Sequence, residues 1–215
     1  MLLFSDRMRP LWVKEKDILS NRRLLDNILK YIANGKVVVC GTDTVYGLCA
    51  NALDEEVIKK VYSIKKRDIS KEMSIFLSDK SEIEKYAYIN DIGKILIDAY
   101  MPGPITIILK KKDILPNMLS KDYIGIRIPE SKTVQLLSKI PITATSANIS
   151  GKKSPKSPDE LDDELLENVD IVIDCGVCKY QVPSTIVKVC DNGKLKLIRE
   201  GTIPFSEILK TVGSN

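Results

Sequence analysis

A chain of 215 residues, 44% hydrophobic and 29% charged, can bury one sizeable globular core, and no Pro/Gly/Ser-rich tract or internal repeat divides it. Its 33 basic and 29 acidic residues leave a net charge of +4, too small a surplus to argue for nucleic acid by itself but compatible with an anionic ligand. There is no histidine, which excludes Ser-His-Asp and Cys-His catalysis, HExxH zinc sites and any imidazole base.

Residues 1–7 acquire charge after four residues and the apolar runs elsewhere are strand-sized, so neither a signal peptide nor a membrane span is expected. Five scattered cysteines without a secretory signal point to reduced thiols in the cytoplasm, where Asn148-Ile-Ser is an unused glycosylation sequon. Cys175-Gly-Val-Cys178 is not read as a metal or redox site. A zinc ion needs two further ligands, and Cys40, Cys49 and Cys190 offer no matching pair.

In chain order, an extended stretch at 11–13 precedes Ser20, the expected N-cap of a helix whose Leu24, Leu25, Ile28, Leu29 and Ile32 recur at helical spacing until Gly35. Lys36-Val-Val-Val-Cys-Gly41 is a buried strand, followed at once by the polar loop Thr42-Asp-Thr-Val-Tyr46. Asp54-Glu55-Glu56 start a helix through Val57, Ile58, Val61, Tyr62 and Ile64 that runs out at Lys65-Lys66-Arg67. A strand at 73–77, a capping box at 81–84 and a helix at 92–100 halted before Pro102 come next.

Strands follow at 105–109 and in Ile124-Gly-Ile-Arg-Ile, whose alternation sends three isoleucines to one side and Arg127 outward on the other. A helix from Ser131 through Leu137 leads to a strand at 142–145 and the polar loop Ser146-Ala-Asn-Ile-Ser-Gly. Ser157-Pro-Asp-Glu reads as a helix start. Strands at 171–174, 185–189 and 195–199 follow, the last two joined by an Asp191-Asn-Gly turn, and Pro204 opens a final helix. Interspersed helices and strands with one obligatory hairpin predict a mixed-sheet α/β domain.

No GxxxxGK[ST] and no GxGxxG occurs, so a nucleotide site would need another design. The candidate pieces are the loop Thr42–Tyr46, the cations Lys65, Arg67 and Lys71, Arg127, the loop Ser146–Ser154, Ser184-Thr185, and Arg199 before Gly201. A polyphosphate calls for cations, hydroxyls and amides converging from several elements, and this set supplies them. Each piece also has a plainer reading: Lys65 and Arg67 as a solvated helix end, Ser146-Ala-Asn as a turn.

Taken in order, Thr42-Asp-Thr-Val-Tyr-Gly-Leu, Lys65-x-Arg67, Pro102-Gly-Pro, Gly125-Ile-Arg-Ile-Pro129, Ser146-x-Asn148, Ser184-Thr-Ile-Val and Arg199-x-Gly201 resemble the motifs of the YrdC-like family, the L-threonylcarbamoyladenylate synthases of tRNA modification. The resemblance implies a single YrdC-like domain over 15–210, with 1–14 as an N-terminal extension, and a twisted mixed sheet with helices packed around it and a concave basic face. It implies the short form, without the further C-terminal domain of longer members. The implied reaction joins ATP, L-threonine and bicarbonate or CO2 into threonylcarbamoyl-AMP and pyrophosphate, the first step of t6A formation, with Mg2+ accompanying ATP and a downstream threonylcarbamoyl transferase complex taking the product. It further implies Lys65, Arg67, Ser146 and Asn148 as the catalytic tetrad and Thr44, Arg127, Ala144 and Ser184 as threonine contacts. Arg67, Lys71, Tyr123, Ser146, Ser154 and Arg199 are the implied ATP contacts.

The chain departs from the family pattern at Gly41 and Glu72, where proline is usual, and at Phe76, a histidine in some members. Two other functions remain open on sequence: a carbamoyl-adenylate-forming domain of the hydrogenase-maturation type, and an RNA-binding module using the basic face without catalysis.

Overall fold

The computed structural model describes residues 9–213, so the reading of residues 1–7 lies outside it. Strand β1 (Leu11–Lys14) leads straight into helices α1 (Glu15–Ser20) and α2 (Arg22–Ala33). The cap expected at Ser20 falls to its neighbour Asn21, whose side chain accepts the Leu24 N–H at 3.1 Å; the Ser20 hydroxyl turns back on the Lys16 carbonyl and closes α1. Gly35, at φ 77°, adopts the left-handed conformation that stops α2, which a Cβ would disfavour.

Strands β2 (Val38–Gly41) and β3 (Tyr46–Cys49) form a hairpin around the 42–45 loop. Helix α3 (Glu55–Ile64) is capped by the Asp54 carboxylate, and its apolar stripe is buried as its spacing predicts. After strand β4 (Ser74–Phe76) the expected capping box shifts: Asp79 caps a 3-10 turn at Lys80–Glu82, and Glu82 reaches back to the Ser78 N–H and hydroxyl. Then come α4 (Ile83–Tyr86), β5 (Ala87–Tyr88), α5 (Asp91–Tyr100), β6 (Ile105–Lys111), β7 (Tyr123–Arg127), α6 (Lys132–Leu137) and β8 (Ile142–Ser146). Ser157-Pro-Asp-Glu makes only the 3-10 turn Pro158–Glu160, because the Glu160 carboxylate takes the Lys156 N–H and Ser157 makes no capping bond. Helix α7 (Asp163–Leu166), strands β9 (Ile171–Asp174), β10 (Thr185–Val189) and β11 (Leu195–Arg199), and helix α8 (Phe205–Gly213) complete the fold.

Among the described residues the strands make one 11-stranded mixed sheet in the order β1-β9-β2-β3-β8-β4-β7-β6-β10-β11, with β5 on β6. Pairings β1–β9, β9–β2, β4–β7 and β6–β10 are parallel, and the rest are antiparallel. Both faces of β2 are covered. Val38 and Cys40 pack with α1, α2 and α6, whereas Val37 and Val39 pack with the larger core under α3, so the segment reads as an uninterrupted apolar run.

On β6 and β7 only one face joins that core, through Ile105, Ile107, Leu109, Ile124 and Ile126. Their neighbours Thr106 and Arg127 point to the opposite face, where the cleft lies. No helix among the described residues is long and apolar enough to cross a membrane.

Candidate active site

A cleft open to solvent lies over the middle of the sheet. Thr42, Thr44, Arg67, Phe76, Thr106, Arg127, Ala144, Ser146, Ser154, Ser184 and Arg199 line it, drawn from segments spread over most of the chain. Three guanidinium groups and several hydroxyls therefore converge on one space.

Arg127 leaves the core face of β7 as the alternation predicts, but it is not exposed. The 42–45 loop covers it and leaves 4% of its surface accessible. Its Nε donates to the Gly103 carbonyl at 3.1 Å, Nη1 to Thr44 Oγ1 at 2.8 Å, and Nη2 to the Asp43 carboxylate, itself 3% exposed. Burial lowers the Arg127 pKa while Asp43 raises it, and the group remains a cation. Three of its five N–H groups are thus used, leaving two. Its guanidinium carbon stands 5.8 Å from the centre of the Phe76 ring, which supplies an apolar wall.

The polar loop orders itself. Thr42 Oγ1 donates to the Val45 carbonyl at 2.8 Å and accepts the Thr44 N–H at 3.0 Å, an ST-turn across the mouth of the hairpin. Tyr46 lies beneath, fully buried, its hydroxyl accepting the Cys175 N–H and donating to the Gly176 carbonyl, so the segment after β9 is tied to the loop.

Lys65 and Asn148 meet behind the cleft. Lys65, 2% exposed, is the largest departure from a solvated helix end: its Nζ donates to the carbonyls of Ser146 and Asn148 and to Asn148 Oδ1. Burial, with the like charge of Arg67, pulls its pKa down to about 7, whereas three acceptors match the three ammonium protons. Ser146 Oγ also bonds Asn148 Oδ1, and the Asn148 amide donates to the Ile149 and Lys152 carbonyls, so this side chain holds the loop after β8 together. Arg67 is half-buried on the cleft wall. It clamps the 68–72 turn through Nε to the Lys71 carbonyl and Nη2 to the Glu72 carbonyl, keeping three N–H groups unspent.

At the other wall, Ser184 Oγ lies 2.9 Å from Thr106 Oγ1, and Arg199 grips the Ser184 carbonyl through Nε and Nη2 at 3.2 and 2.8 Å. Burial lowers the Arg199 pKa. Ala144 pairs with Ser74 across β8 and β4, placing its backbone on the cleft floor.

Of the residues the sequence singles out, Thr44, Arg67, Arg127, Ala144, Ser146, Ser154, Ser184 and Arg199 share the cleft surface. Lys65 and Asn148 support it from behind. Lys71 contributes its carbonyl, and its side chain is exposed on the 68–72 turn. Tyr123 lies further along the open sheet face, its hydroxyl on Asp191 at 3.0 Å and Lys188 Nζ 3.2 Å from its ring centre. Sequence reasoning passed over Thr106 and took Asp43 only as part of the 42–46 loop, with no role of its own. A threonine amid the isoleucines of β6, and a carboxylate between two threonines, are the signals that could have found them.

Among the described residues no cluster of three Asp, Glu, Cys or His side chains could hold a metal on its own. The cleft does offer hydroxyl oxygens of the kind magnesium accepts, from Ser146 and Ser154, which suits an ion arriving on a polyphosphate, whereas the Glu72 carboxylate is turned to the Lys121 N–H. Cys175 and Cys178 do not act as a pair: Cys175 faces Cys40 at 3.8 Å and Cys178 is buried near Thr42.

Comparison with known proteins adds to this geometry. The family model Sua5_yciO_yrdC, described as Telomere recombination, matches residues 30–201. A Methanocaldococcus jannaschii protein described as a candidate threonylcarbamoyl-AMP synthase is 54% identical over 189 residues, 88% of this chain and 91% of that protein. The Pyrococcus abyssi threonylcarbamoyl-AMP synthase is 34% identical over 190 residues, 85% of this chain but 55% of its own length. The crystal structure of P. abyssi Sua5 complexed with L-threonine matches with a TM-score of 0.87 at 31% identity, covering 96% of this chain and 61% of that one. The chain thus spans nearly all of one relative and little more than half of another.

Proposed function

The chain belongs to the Sua5/YciO/YrdC family, and from that premise we propose that it is an L-threonylcarbamoyladenylate synthase acting on ATP, L-threonine and bicarbonate or CO2. The observation that carries this reading is the convergence of Arg67, Arg127 and Arg199 with threonine and serine hydroxyls in one cleft without histidine. Such a set positions anions and stabilises charge, and it offers no nucleophile–base pair.

The chemistry suits it. The neutral threonine amine attacks CO2, forming the C–N bond and releasing a proton to solvent. A carbamate oxygen then attacks the α-phosphorus while the bond to the bridging oxygen breaks and pyrophosphate leaves with the electron pair. Arg127, with two unspent N–H groups, takes the threonine carboxylate beside Thr44 and Ser184, with the Ala144 backbone on the floor. Arg67 and Arg199 take the phosphates with Ser146 and Ser154; Lys65 and Asn148 hold the Ser146 loop, and Lys71 and Tyr123 lie towards the outer end of the nucleotide. The Ser146 and Ser154 hydroxyls would meet an Mg2+ ion arriving with ATP, and such an ion would supply neutralisation of phosphate charge there.

The product is a mixed anhydride that water destroys, so transfer to a downstream threonylcarbamoyl transferase for t6A formation on tRNA, in the cytoplasm, belongs to the same proposal. An RNA partner would meet the open sheet face, where Lys188 pairs with Lys196 and Lys110 with Tyr123 in register. Incubation with ATP, threonine and bicarbonate should release pyrophosphate in proportion to threonine. ATP turnover indifferent to threonine overturns the synthase reading, and turnover driven by carbamoyl phosphate supports the carbamoyl-adenylate alternative.

A further inference from the structure

We propose that Asp43 is a positioning residue: it fixes the Arg127 guanidinium, and through it the polarity of the Thr44 hydroxyl, at the amino-acid end of the cleft. This rests on the reading of that end as the threonine site.

Asp43 does not line the cleft, whereas Arg127 and Thr44 do, so it acts through them. Its side chain has no accessible surface and that of Arg127 retains 5%. An ion pair so fully removed from water is a poor device for stability, since desolvation offsets the attraction. Asp43 Oδ2 is moreover buried with no hydrogen-bond partner among the described residues. A carboxylate kept under that penalty is explained by what its other oxygen does, which is to hold Arg127 Nη2.

The anchoring is three-sided. Arg127 Nε is fixed on Gly103 and Nη2 on Asp43, and the Asp43 carbonyl accepts the Tyr180 N–H at 2.8 Å, so the loop cannot slide away from the guanidinium. Nη1 then donates to Thr44 Oγ1. The single Thr42 hydroxyl proton goes to the Val45 carbonyl, and its oxygen accepts the Thr44 N–H at 3.0 Å with the Val45 N–H longer at 3.3 Å, so in the 3.0 Å contact between the two threonine hydroxyls we assign the proton to Thr44. Thr44 therefore accepts from Arg127, donates to Thr42 and has one lone pair left, presenting itself to a ligand as an acceptor. Removing the Asp43 charge frees the guanidinium to rotate and undoes that direction.

The test titrates L-threonine and, separately, a non-hydrolysable ATP analogue into the wild type, Asp43→Asn, Arg127→Gln and the double variant, with calorimetry giving each Kd. Asp43→Asn should weaken threonine at least tenfold and leave the ATP analogue within twofold. In the Arg127→Gln background it should add nothing, because its target is gone. Equal weakening of both ligands, or none, assigns Asp43 a structural role and overturns the proposal, as does a further tenfold loss in the double variant. Should Asp43→Asn alone not fold, the double variant, which buries no unpaired charge, compared with Arg127→Gln decides the same point. A wild type that binds the ATP analogue but not threonine overturns instead the reading on which the proposal rests.

Discussion

Lys65 Nζ lies 2.8 Å from the Asn148 carbonyl and 3.3 Å from Asn148 Oδ1, joining residues 83 positions apart behind the cleft floor. The lysine at the end of α3 is therefore a strut for the loop after β8. Its pKa, 10.5 in an unfolded chain, is pulled down to about 7 by burial. Below pH 7 both states carry the proton and the folded state bears the full cost of a buried charge. Between 7 and 10.5 the unfolded chain holds a proton that the folded chain has released, so this group's contribution to stability rises with pH. Wild type should accordingly gain on Lys65→Met, which cannot titrate, by about 1–3 kcal/mol between pH 7 and 9 in urea unfolding. A constant difference across that range would show that the ammonium stays charged throughout. Lys65→Ala should cost stability as well as activity, because it removes a buried side chain and not a solvated one.

Arg67 differs in kind. It is half-buried, its two bonds hold only the 68–72 turn, and its remaining donors face the cleft. Arg67→Ala should therefore leave the melting temperature nearly unchanged while raising the ATP requirement roughly 10- to 100-fold, the worth of one or two charge-assisted hydrogen bonds. Arg67→Lys should recover little of this, since an ammonium cannot bridge the two carbonyls and still reach the ligand. Steady-state pyrophosphate release with ATP varied at saturating threonine checks both.

What could be read without coordinates was whatever a local pattern decides. The period of two in Ile124-Gly-Ile-Arg-Ile placed Arg127 opposite the core, and the stripe of α3 placed Val57, Ile58 and Val61 inside. The burial of Arg127 was not legible, because the loop that covers it lies more than 80 residues earlier in the chain. The burial of Lys65 was not legible for the same reason: beside Lys66 and Arg67 it looks like a solvated run, yet Lys66 is the one that turns outward, at φ 48°, to meet Glu164. Small polar residues misled at neighbouring positions, as with Ser20 and Asn21, where either could cap and the one nearer the helix does. The motif set found most of the cleft surface; Asp43 lay inside the 42–46 loop without a role of its own, because nothing local tells a buried carboxylate from a turn residue.

Gly41 is required by packing. A Cβ there would stand 2.6 Å from Cys175 Cβ and 3.1 Å from the Tyr46 ring. Gly41→Ala should destabilise by about 1–3 kcal/mol through overpacking and displace the Tyr46 anchor beneath the 42–45 loop. Cys175→Gly should relieve the nearer clash. The double variant should then be more stable than the sum of the single changes predicts, by ~1 kcal/mol in a double-mutant cycle read by denaturant unfolding. Strict additivity would place the cost of Gly41→Ala elsewhere.

The cysteines offer a test of the packing around the hairpin that needs no variant. Burial pushes the Cys49 thiol up to about 12 and the Cys178 thiol up to about 11, and the hydrogen bond with Cys175, together with burial, raises Cys40. At pH 8 Cys178 is then roughly one part in a thousand thiolate and Cys49 less, so neither reacts with iodoacetamide at a useful rate even where the reagent could reach it. Cys175 and Cys190 are only partly buried. Brief alkylation at pH 8 followed by peptide mass spectrometry should label these two and spare Cys40, Cys49 and Cys178 until the chain is unfolded. Raising the pH to 9.5 should bring in Cys178 before Cys49, in the order of their thiolate fractions. Joint labelling of Cys175 and Cys178 in the folded protein at pH 8 would mean that the segment after β9 leaves its place against Thr42, and the ties from Tyr46 to Cys175 and Gly176 could then not hold as described.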